Sequence, residues 1–249
     1  FLILGVLALT FTACASMVDF NHALPTSTTD INIKVPAKVI IHEGVKKPYV
    51  IFYGKPSTYY QSYIQIGHGQ LNILPKRQAY MKGFHASTVI IGVRYLHNLS
   101  VNGSPIVVIH AAKKSQLNLL LQNVPRIRFT GNATISNLFL SGSGNFLLHG
   151  HITLGNLVHT GAGHISIKKA SGQLSLHTMG PGDVDIRGNF ALNTLFKRGA
   201  GNVNLQGTGR AKGPVNIDGA GPGSVAARVN TKQKFNLTVT GTGRYTFSG

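Results

Sequence analysis

Apolar residues recur in a fixed register behind a series of Gly-x-Gly triplets in the C-terminal half of the chain. Behind the first four triplets, the fourth and sixth residues after the first glycine are apolar: Phe146 and Leu148, Ile165 and Ile167, Val184 and Ile186, Val203 and Leu205. An alternation with a period of two is typical of a β-strand that buries one face. Each triplet therefore predicts a turn that is followed by a short strand.

The triplets are spaced regularly enough to predict a repeat architecture. Their first glycines are Gly142, Gly161, Gly180, Gly199, Gly219 and Gly241, at spacings of 19, 19, 19, 20 and 22 residues. A looser second apolar run follows in each repeat, such as Leu174 and Leu176. No repeat has a helical stretch, and a repeat of this length is too short for a four-stranded propeller blade. We therefore predict an all-β fold, namely a parallel β-helix or a closely related β-solenoid with coils of about 19–20 residues.

The same period continues less regularly upstream of the triplets. Asn123 lies 19 residues before the first triplet, and Ile127 and Phe129 then fill the two apolar positions. Ser104 lies 19 residues further upstream, but His110 would then occupy an apolar position, which indicates a register shift of one residue. We predict that coiling begins near residue 104 or before it and gives about 7 coils, a rod of about 35 Å.

The chain divides into four parts. Residues 1–14 are predicted to be a signal peptide, residues 15–29 a polar tether, residues 30–103 an N-terminal β cap continuous with the solenoid, and residues 104–249 the glycine-punctuated repeats. The apolar run before Cys14 is typical of a secretory signal. Cys14 itself resembles the lipidated cysteine of a bacterial lipobox, although Phe11 stands where leucine is usual. The alternative is a plain signal peptide in which the cysteine has no role.

Two segments of the chain resemble a known family. They are GQLNIL at residues 69–74 and STVIIGVRYLHNLSVNGSPIVV at residues 87–108, followed by the glycine-punctuated coils. Their order and spacing over about residues 30–249 resemble the head GIN domain family of auto-transporter adhesins. The resemblance implies a β-helix in the bacterial cell envelope with no established enzyme activity. By resemblance to lipoprotein sorting, Ala15 after Cys14 implies an outer-membrane lipoprotein anchored through an N-terminal lipid.

The charge of the chain predicts a polyanionic partner. The sequence has 24 Lys and Arg against 6 Asp and Glu, a net charge of +18. The seventh position after each first glycine is predicted to form an outward row, and further basic residues lie nearby. The candidate polyanion-binding residues are His149, Lys168, Lys169, Arg187, Lys197 and Arg198. An acidic polysaccharide or lipopolysaccharide would suit them; the alternative is a solvated face with no ligand.

Catalytic and metal chemistry have weaker support in the sequence. Asp183 and Asp185 share a strand parity and, with Arg187, could form a lyase-like or calcium site, which is the enzyme alternative. Eleven histidines are present, but no acidic or thiolate partner accompanies them as a metal site requires. We expect a non-catalytic binding or scaffolding protein with no cofactor, no metal and no specific nucleic-acid partner. A purely structural envelope protein is the third alternative, and open coil ends would allow self-association.

Overall fold

The computed structural model describes residues 18–54, 62–76, 87–104, 106–112, 115–229 and 234–248. In these ranges the chain forms 21 strands and no helix, and parallel pairing stacks the strands into a β-solenoid. The predicted fold class is therefore confirmed. The predicted signal peptide and Cys14 lie outside the described residues.

The strands, in chain order, are β1 (Val18–Ala23), β2 (Asp30–Ile33), β3 (Lys38–Glu43), β4 (Tyr49–Gly54), β5 (Ser62–Gly67), β6 (Gln70–Pro75), β7 (Thr88–Val93), β8 (Asn98–Asn102), β9 (Val107–His110), β10 (Ser115–Gln122), β11 (Arg126–Thr130), β12 (Ala133–Ser141), β13 (Asn145–His149), β14 (Ile152–Thr160), β15 (Ile165–Met179), β16 (Val184–Arg198), β17 (Val203–Gly207), β18 (Val215–Ala220), β19 (Val225–Arg228), β20 (Phe235–Thr240) and β21 (Tyr245–Ser248).

The strands form two stacks, which we call the first and second faces. The first face has the order β6, β2, β8, β10, β12, β14, the C-terminal part of β15, the C-terminal part of β16, β18 and β20. The second face has the order β7, β3, β9, β11, β13, the N-terminal part of β15, the N-terminal part of β16, β17, β19 and β21. Every one of these pairings is parallel. Alternate residues of both faces point inward and form one continuous apolar core.

Eight consecutive coils run from β8 to β21, and two further coils lie below them. Coiling thus begins earlier than residue 104. Gly103 starts the repeat, because Val107 and Ile109 are the buried residues that follow it. Asn123 takes the place of the next corner glycine, with a φ of 51° in the left-handed region that asparagine tolerates. The register shift that the sequence indicated at residue 104 is confirmed.

The fifth corner differs from the sequence prediction. The corner is Gly221-Pro222-Gly223, whereas the prediction chose Gly219-Ala220-Gly221. A Cβ built on Gly221 would lie 2.7 Å from the carbonyl oxygen of Gly199, the corner glycine of the coil below. Gly219 instead faces Tyr245, whose hydroxyl occupies the space that a side chain at residue 219 would need. The prediction was wrong because two triplets overlap in sequence and only coil contact distinguishes them.

Close contact between coils explains why the corners need glycine. The first glycine of a corner has a positive φ, for example 138° at Gly161. The second glycine lies directly above the backbone of the coil below. A Cβ on Gly163 would be 2.0 Å from the carbonyl oxygen of Gly144, and one on Gly201 would be 2.0 Å from that of Gly182. No side chain fits at that distance, so each Gly-x-Gly corner requires glycine at both positions.

Substitution of a second corner glycine should therefore destabilise the fold. We expect Gly163→Ala to cost about 1–3 kcal/mol, as overpacking against a fixed backbone does. Thermal unfolding followed by circular dichroism should show a Tm lowered by roughly 2–4 °C per kcal/mol. Gly213→Ala is the matched control, because nothing lies within 4 Å of a Cβ at that loop position. Equal Tm values for the two variants would contradict the steric explanation.

The N-terminal coil is inserted between two coils that come later in the chain. β2 pairs with both β6 and β8, and β3 pairs with both β7 and β9. β2 and β3 therefore lie between β6 and β7 on one side and β8 and β9 on the other. Sequence periodicity gives no sign of this order, because it reports which residues face inward and not which strands are neighbours.

Antiparallel strands close the N-terminal end of the stack. β5 pairs with β6, β4 pairs with β7, and β1 pairs with β4 along its whole length. The predicted tether over residues 15–29 was thus wrong for residues 18–23. These residues form an edge strand because β4 supplies backbone hydrogen bonds and Phe20 packs against the core. Residues 15–17 lie outside the described part of the chain.

Glu43 connects the inserted coil to its neighbours. One carboxylate oxygen accepts a hydrogen bond from the backbone N–H of Leu96 at 3.1 Å. The other oxygen accepts from the N–H of Ala112 at 2.9 Å and from the hydroxyl of Ser115. Leu96 follows β7 and Ala112 follows β9, and these are the two strands that flank β3. One side chain therefore links the inserted coil to the coils on both sides of it.

Loss of this carboxylate should weaken the N-terminal half of the stack. We expect Glu43→Ala to cost about 1–3 kcal/mol, because two partly buried N–H groups lose their acceptor. Glu43→Gln keeps one acceptor oxygen and should lose less. Denaturant unfolding of the three proteins checks this order. The role assigned to Glu43 would be incorrect if both variants unfolded at the same midpoint as the wild type.

Candidate functional site

The predicted basic row lies on the outside of the second face. His149 pairs with Thr130 of the coil below, and Arg187 pairs with Gln206 of the coil above. The register of the pairing between β15 and β16 shifts by one residue between Ile167 and Ala170, so that Lys168 and Lys169 lie opposite the single residue Arg187. Both lysines are exposed and His149 is half-buried. The structure therefore brings these four basic residues onto one surface, as the sequence predicted.

The charge of Arg187 is paired with a carboxylate. Its guanidinium contacts Asp185 through two N–O distances of 3.1 Å. Asn204 also donates to Asp185, at 3.1 Å. Asp183 accepts the backbone N–H of Asn202 at 2.7 Å. Each aspartate of the lyase-like alternative thus has a hydrogen-bonding partner in its own or the next coil.

Lys197 does not belong to the basic surface, and its prediction as a binding residue was wrong. Its side chain is only 1% exposed, and its Nζ donates to the carbonyl oxygen of Gly199 at 2.8 Å. Burial lowers the pKa of this amine from its ordinary value. The position faces inward because it continues the column that Thr178 occupies in the coil below and Gly219 in the coil above.

Arg198 is on the surface, but its charge is already paired with a carboxylate. Its guanidinium makes a bidentate pair with Asp218, with both N–O distances at 2.8 Å. It also lies over the ring of Phe196, 4.2 Å from the centroid. Its hydrogen bonds to Asp218 lower the pKa of that carboxyl. Because a paired guanidinium has little net charge to offer, Arg198 contributes less to polyanion attraction than the sequence suggested.

His159 is a buried histidine in the same inward column as Lys197. It is fully buried, and neither ring nitrogen has a hydrogen-bond partner among the described residues. Its ring meets that of Phe146 edge-on at 6.2 Å. Burial lowers the pKa of His159 from its ordinary value, and the nearby His164 lowers it further. The neutral imidazole is therefore the form that the fold accommodates.

The buried imidazole should make the solenoid sensitive to acid. Because the pKa of His159 is lower in the folded state, the unfolded chain binds more protons once the pH falls below about 6.5. Stability should decline from pH 7 towards pH 5. His159→Leu, which matches Leu140 in the coil below, should reduce this decline in denaturant unfolding across that range. His151→Gln, at an exposed position, is the control and should keep the wild-type dependence. An unchanged pH profile for His159→Leu would contradict this assignment.

A row of polar side chains on the first face was not predicted from the sequence. We call it the amide ladder; it consists of Asp30, Asn98, Asn118, Asn137 and Asn156, one residue in each of five adjacent coils. The Nδ2 of each asparagine donates to the side-chain oxygen of the preceding member. The four donor–acceptor distances are 2.8, 3.0, 2.8 and 3.1 Å. The spacings of 20, 19 and 19 residues between the asparagines were the signal available in the sequence.

The amide ladder forms one side of a surface groove of about 500 Å³, which we call the amide groove. The second outward column of the same strands forms its other side, with Asn72, Asn32, Ser100, Leu120 and Phe139. Asn32 donates to Asn72 at 3.2 Å, which extends the amide pattern across the groove. Of the described lining residues, Asp30 alone is an aspartate, glutamate, lysine or arginine. The second column is polar at its lower end and apolar at Leu120 and Phe139, and the groove as a whole is nearly uncharged.

Two further structural observations concern the described residues only. They include no group of three or more His, Cys, Asp or Glu side chains arranged to hold a metal ion. They also include no helix with the length and apolar character needed to cross a membrane.

Comparisons with known proteins identify the fold. No family model matches the chain, and no curated protein matches it. A candidate adhesin from Parabacteroides merdae has a TM-score of 0.69 at 14% identity, over 95% of this chain and 98% of that chain. A candidate adhesin from Bacteroides fragilis has a TM-score of 0.56 at 16% identity, over 94% and 96% of the two chains. A candidate lipid binding protein from Parabacteroides distasonis has a TM-score of 0.57 at 17% identity, over 93% and 97%.

The fold and its surfaces thus define an extended β-solenoid that carries a basic face and a groove of ligand size. These bacterial adhesin candidates have the same solenoid fold, and the similarity covers nearly the whole of both chains.

Proposed function

We propose that the protein is an exported, non-catalytic, adhesin-like binding protein of the bacterial cell envelope. Its basic second face would bind an acidic polysaccharide or lipopolysaccharide, and Cys14 would attach the protein to the outer membrane through a lipid. Three observations support the proposal: the resemblance to the head GIN domain family, the signal-like N-terminus, and the adhesin and lipid-binding names of the structural neighbours.

The observation that carries the proposal is the excess of cations on the outside of the second face. Exposed basic residues recur there along the stack, in β11, β15 and β19: Arg126, Arg128, Lys168, Lys169 and Arg228. The two ion pairs found among the described residues involve Arg187 and Arg198, so neither neutralises these five side chains. β11 and β15 lie two strand positions apart, and β15 and β19 lie three apart, which is about 10 and about 14 Å at the usual strand separation. Like charges at these distances repel one another in low salt. A long polyanion along the solenoid axis would remove this repulsion.

The set of binding residues differs from the sequence prediction. Lys168 and Lys169 remain, as the exposed pair at the centre of the face. Arg187 and Arg198 each share their charge with an aspartate, and Lys197 is interior. The cations of β11 and β19 extend the surface on either side. An extended basic strip of this kind selects for a polymer, since a small anion would engage only one coil.

Charge reversal at the centre of the strip tests the proposal. We expect the double variant Lys168→Glu/Lys169→Glu to weaken binding to heparin and to lipopolysaccharide by about tenfold or more, because each lysine near an anionic surface contributes about 1 kcal/mol. Binding of the wild type should also weaken as salt rises. Affinity chromatography and a lipopolysaccharide pull-down, each at low and physiological salt, measure both effects.

The matched control is Lys46→Glu/Lys47→Glu, an exposed lysine pair near β3 that gives the same change in net charge. It should retain most of the wild-type affinity. If both double variants lost affinity equally, net charge and not the second face would account for binding. No binding of the wild type to either polymer at low salt would reject the polyanion ligand.

A further inference from the structure

We propose that the amide groove on the first face is a second binding site, and that its ligand is an uncharged oligosaccharide chain lying along the solenoid axis. This inference concerns a different face and a different ligand chemistry from the polyanion site, and it does not depend on that site. It rests on three properties of the groove: the donors and acceptors that the ladder leaves unused, the apolar side chains of Leu120 and Phe139, and the lack of lysine and arginine.

The amide ladder has hydrogen-bonding capacity left over. An asparagine amide offers two N–H donors and an oxygen with two lone pairs. In Asn118, one donor goes to Asn98 and one lone pair accepts from Asn137, at 3.0 and 2.8 Å. The other donor and the other lone pair are not used by the ladder. Because its neighbours fix each amide in orientation, the groove presents a repeating row of paired donors and acceptors, which is the pattern that sugar hydroxyls match.

The opposite wall supplies apolar contact. Leu120 is 37% exposed, and Phe139 is half-buried in the next coil at the same register. Binding sites for small ligands are typically lined by apolar and aromatic groups with a few polar groups that fix orientation. A sugar ring has an apolar face of C–H groups and a polar rim, so it suits a groove in which Leu120 and Phe139 face a row of amides.

The charge of the groove excludes a polyanion as its preferred ligand. The chain carries a net charge of +18, yet no lysine or arginine lines the groove. Asp30 adds a carboxylate at one end, where it accepts from Asn98 and can also accept from a hydroxyl. An acidic glycan would meet this carboxylate without a compensating cation. A neutral glycan would not be repelled, and its hydroxyls could donate to the carboxylate.

The size of the groove fits a short stretch of a polymer. Its lining residues come from β6, β2, β8, β10 and β12, five strands that span about 19 Å at the usual strand separation. A volume of about 500 Å³ lies within the usual range for ligand sites.

The same column of the first face contains a natural control. Asn216 and Asn236 form an identical amide pair, with Nδ2 of Asn236 donating to Oδ1 of Asn216 at 2.8 Å. They lie on β18 and β20, away from the amide groove. An asparagine that only stacks coils should have the same effect on stability at either place, whereas only the groove asparagines should affect a ligand.

The experiment is affinity gel electrophoresis of the full protein in gels containing laminarin, mannan, dextran or xyloglucan, with heparin as the acidic probe. We expect at least one neutral polymer to retard the wild type equally at low and physiological salt. Asn118→Ala and Phe139→Ala should each weaken that retardation about fivefold or more, the effect of losing one hydrogen bond or an equivalent contact. Asn216→Ala should leave it unchanged, and so should Lys168→Glu/Lys169→Glu, which separates this site from the basic face.

Three results would overturn the inference. The first is no retardation by any of the four neutral polymers. The second is retardation that Asn216→Ala reduces as much as Asn118→Ala, which would make the ladder a coil-stacking device only. The third is binding to heparin alone, which would leave the basic face as the binding surface. Thermal unfolding of each variant, measured in parallel, shows whether a lost interaction reflects a lost fold.

Discussion

The approach of one coil to the next at the glycine corners is the constraint on which this structure depends. Parallel strands must lie about 4.8 Å apart, and at the corner this places the carbonyl oxygen of one coil where the next coil would carry a Cβ. At the Gly-x-Gly corners glycine alone meets this requirement, so these corners fix where their coils start. A constant coil length then places equivalent residues directly above one another. The amide ladder and the basic strip are both consequences of this vertical alignment.

The two faces use this alignment for different chemistry. On the first face, stacked amides satisfy one another and leave the surface nearly neutral. On the second face, exposed cations recur along the stack with few carboxylates beside them. Of the two aspartates there, Asp185 pairs with Arg187 and Asp183 accepts a hydrogen bond from Asn202. A repeat with a fixed period multiplies whatever residue type occupies a column. The solenoid is therefore suited to polymeric ligands, which also repeat along one direction.

Sequence periodicity predicted what depends on local alternation and failed where the fold depends on neighbours. It predicted the solenoid, most of the inward residues and all Gly-x-Gly corners except the one at Gly221, because each coil repeats the same inward and outward pattern. It placed Lys197 on the surface, since charge usually indicates exposure; the carbonyl oxygen of Gly199 that accepts its hydrogen bond is a tertiary feature. It missed β1 and the inserted coil, because the repeat period does not indicate which strands pair with each other. The amide ladder was detectable, since Asn118 and Asn137 share the repeat spacing.

The inserted N-terminal coil gives the stack an unequal folding topology. In the later repeats, paired residues are about 19 positions apart, so loop closure costs little. In the inserted coil, Ile31 pairs with Leu71 and Leu99, which are 40 and 68 positions away. High contact order of this kind slows folding. During synthesis residues 30–43 must wait for both neighbours, and once enclosed they cannot separate without breaking two interfaces. The first-made coil is therefore an interior one that cannot fray, whereas in a simple repeat array the first-made repeat is terminal and can be lost by breaking a single interface.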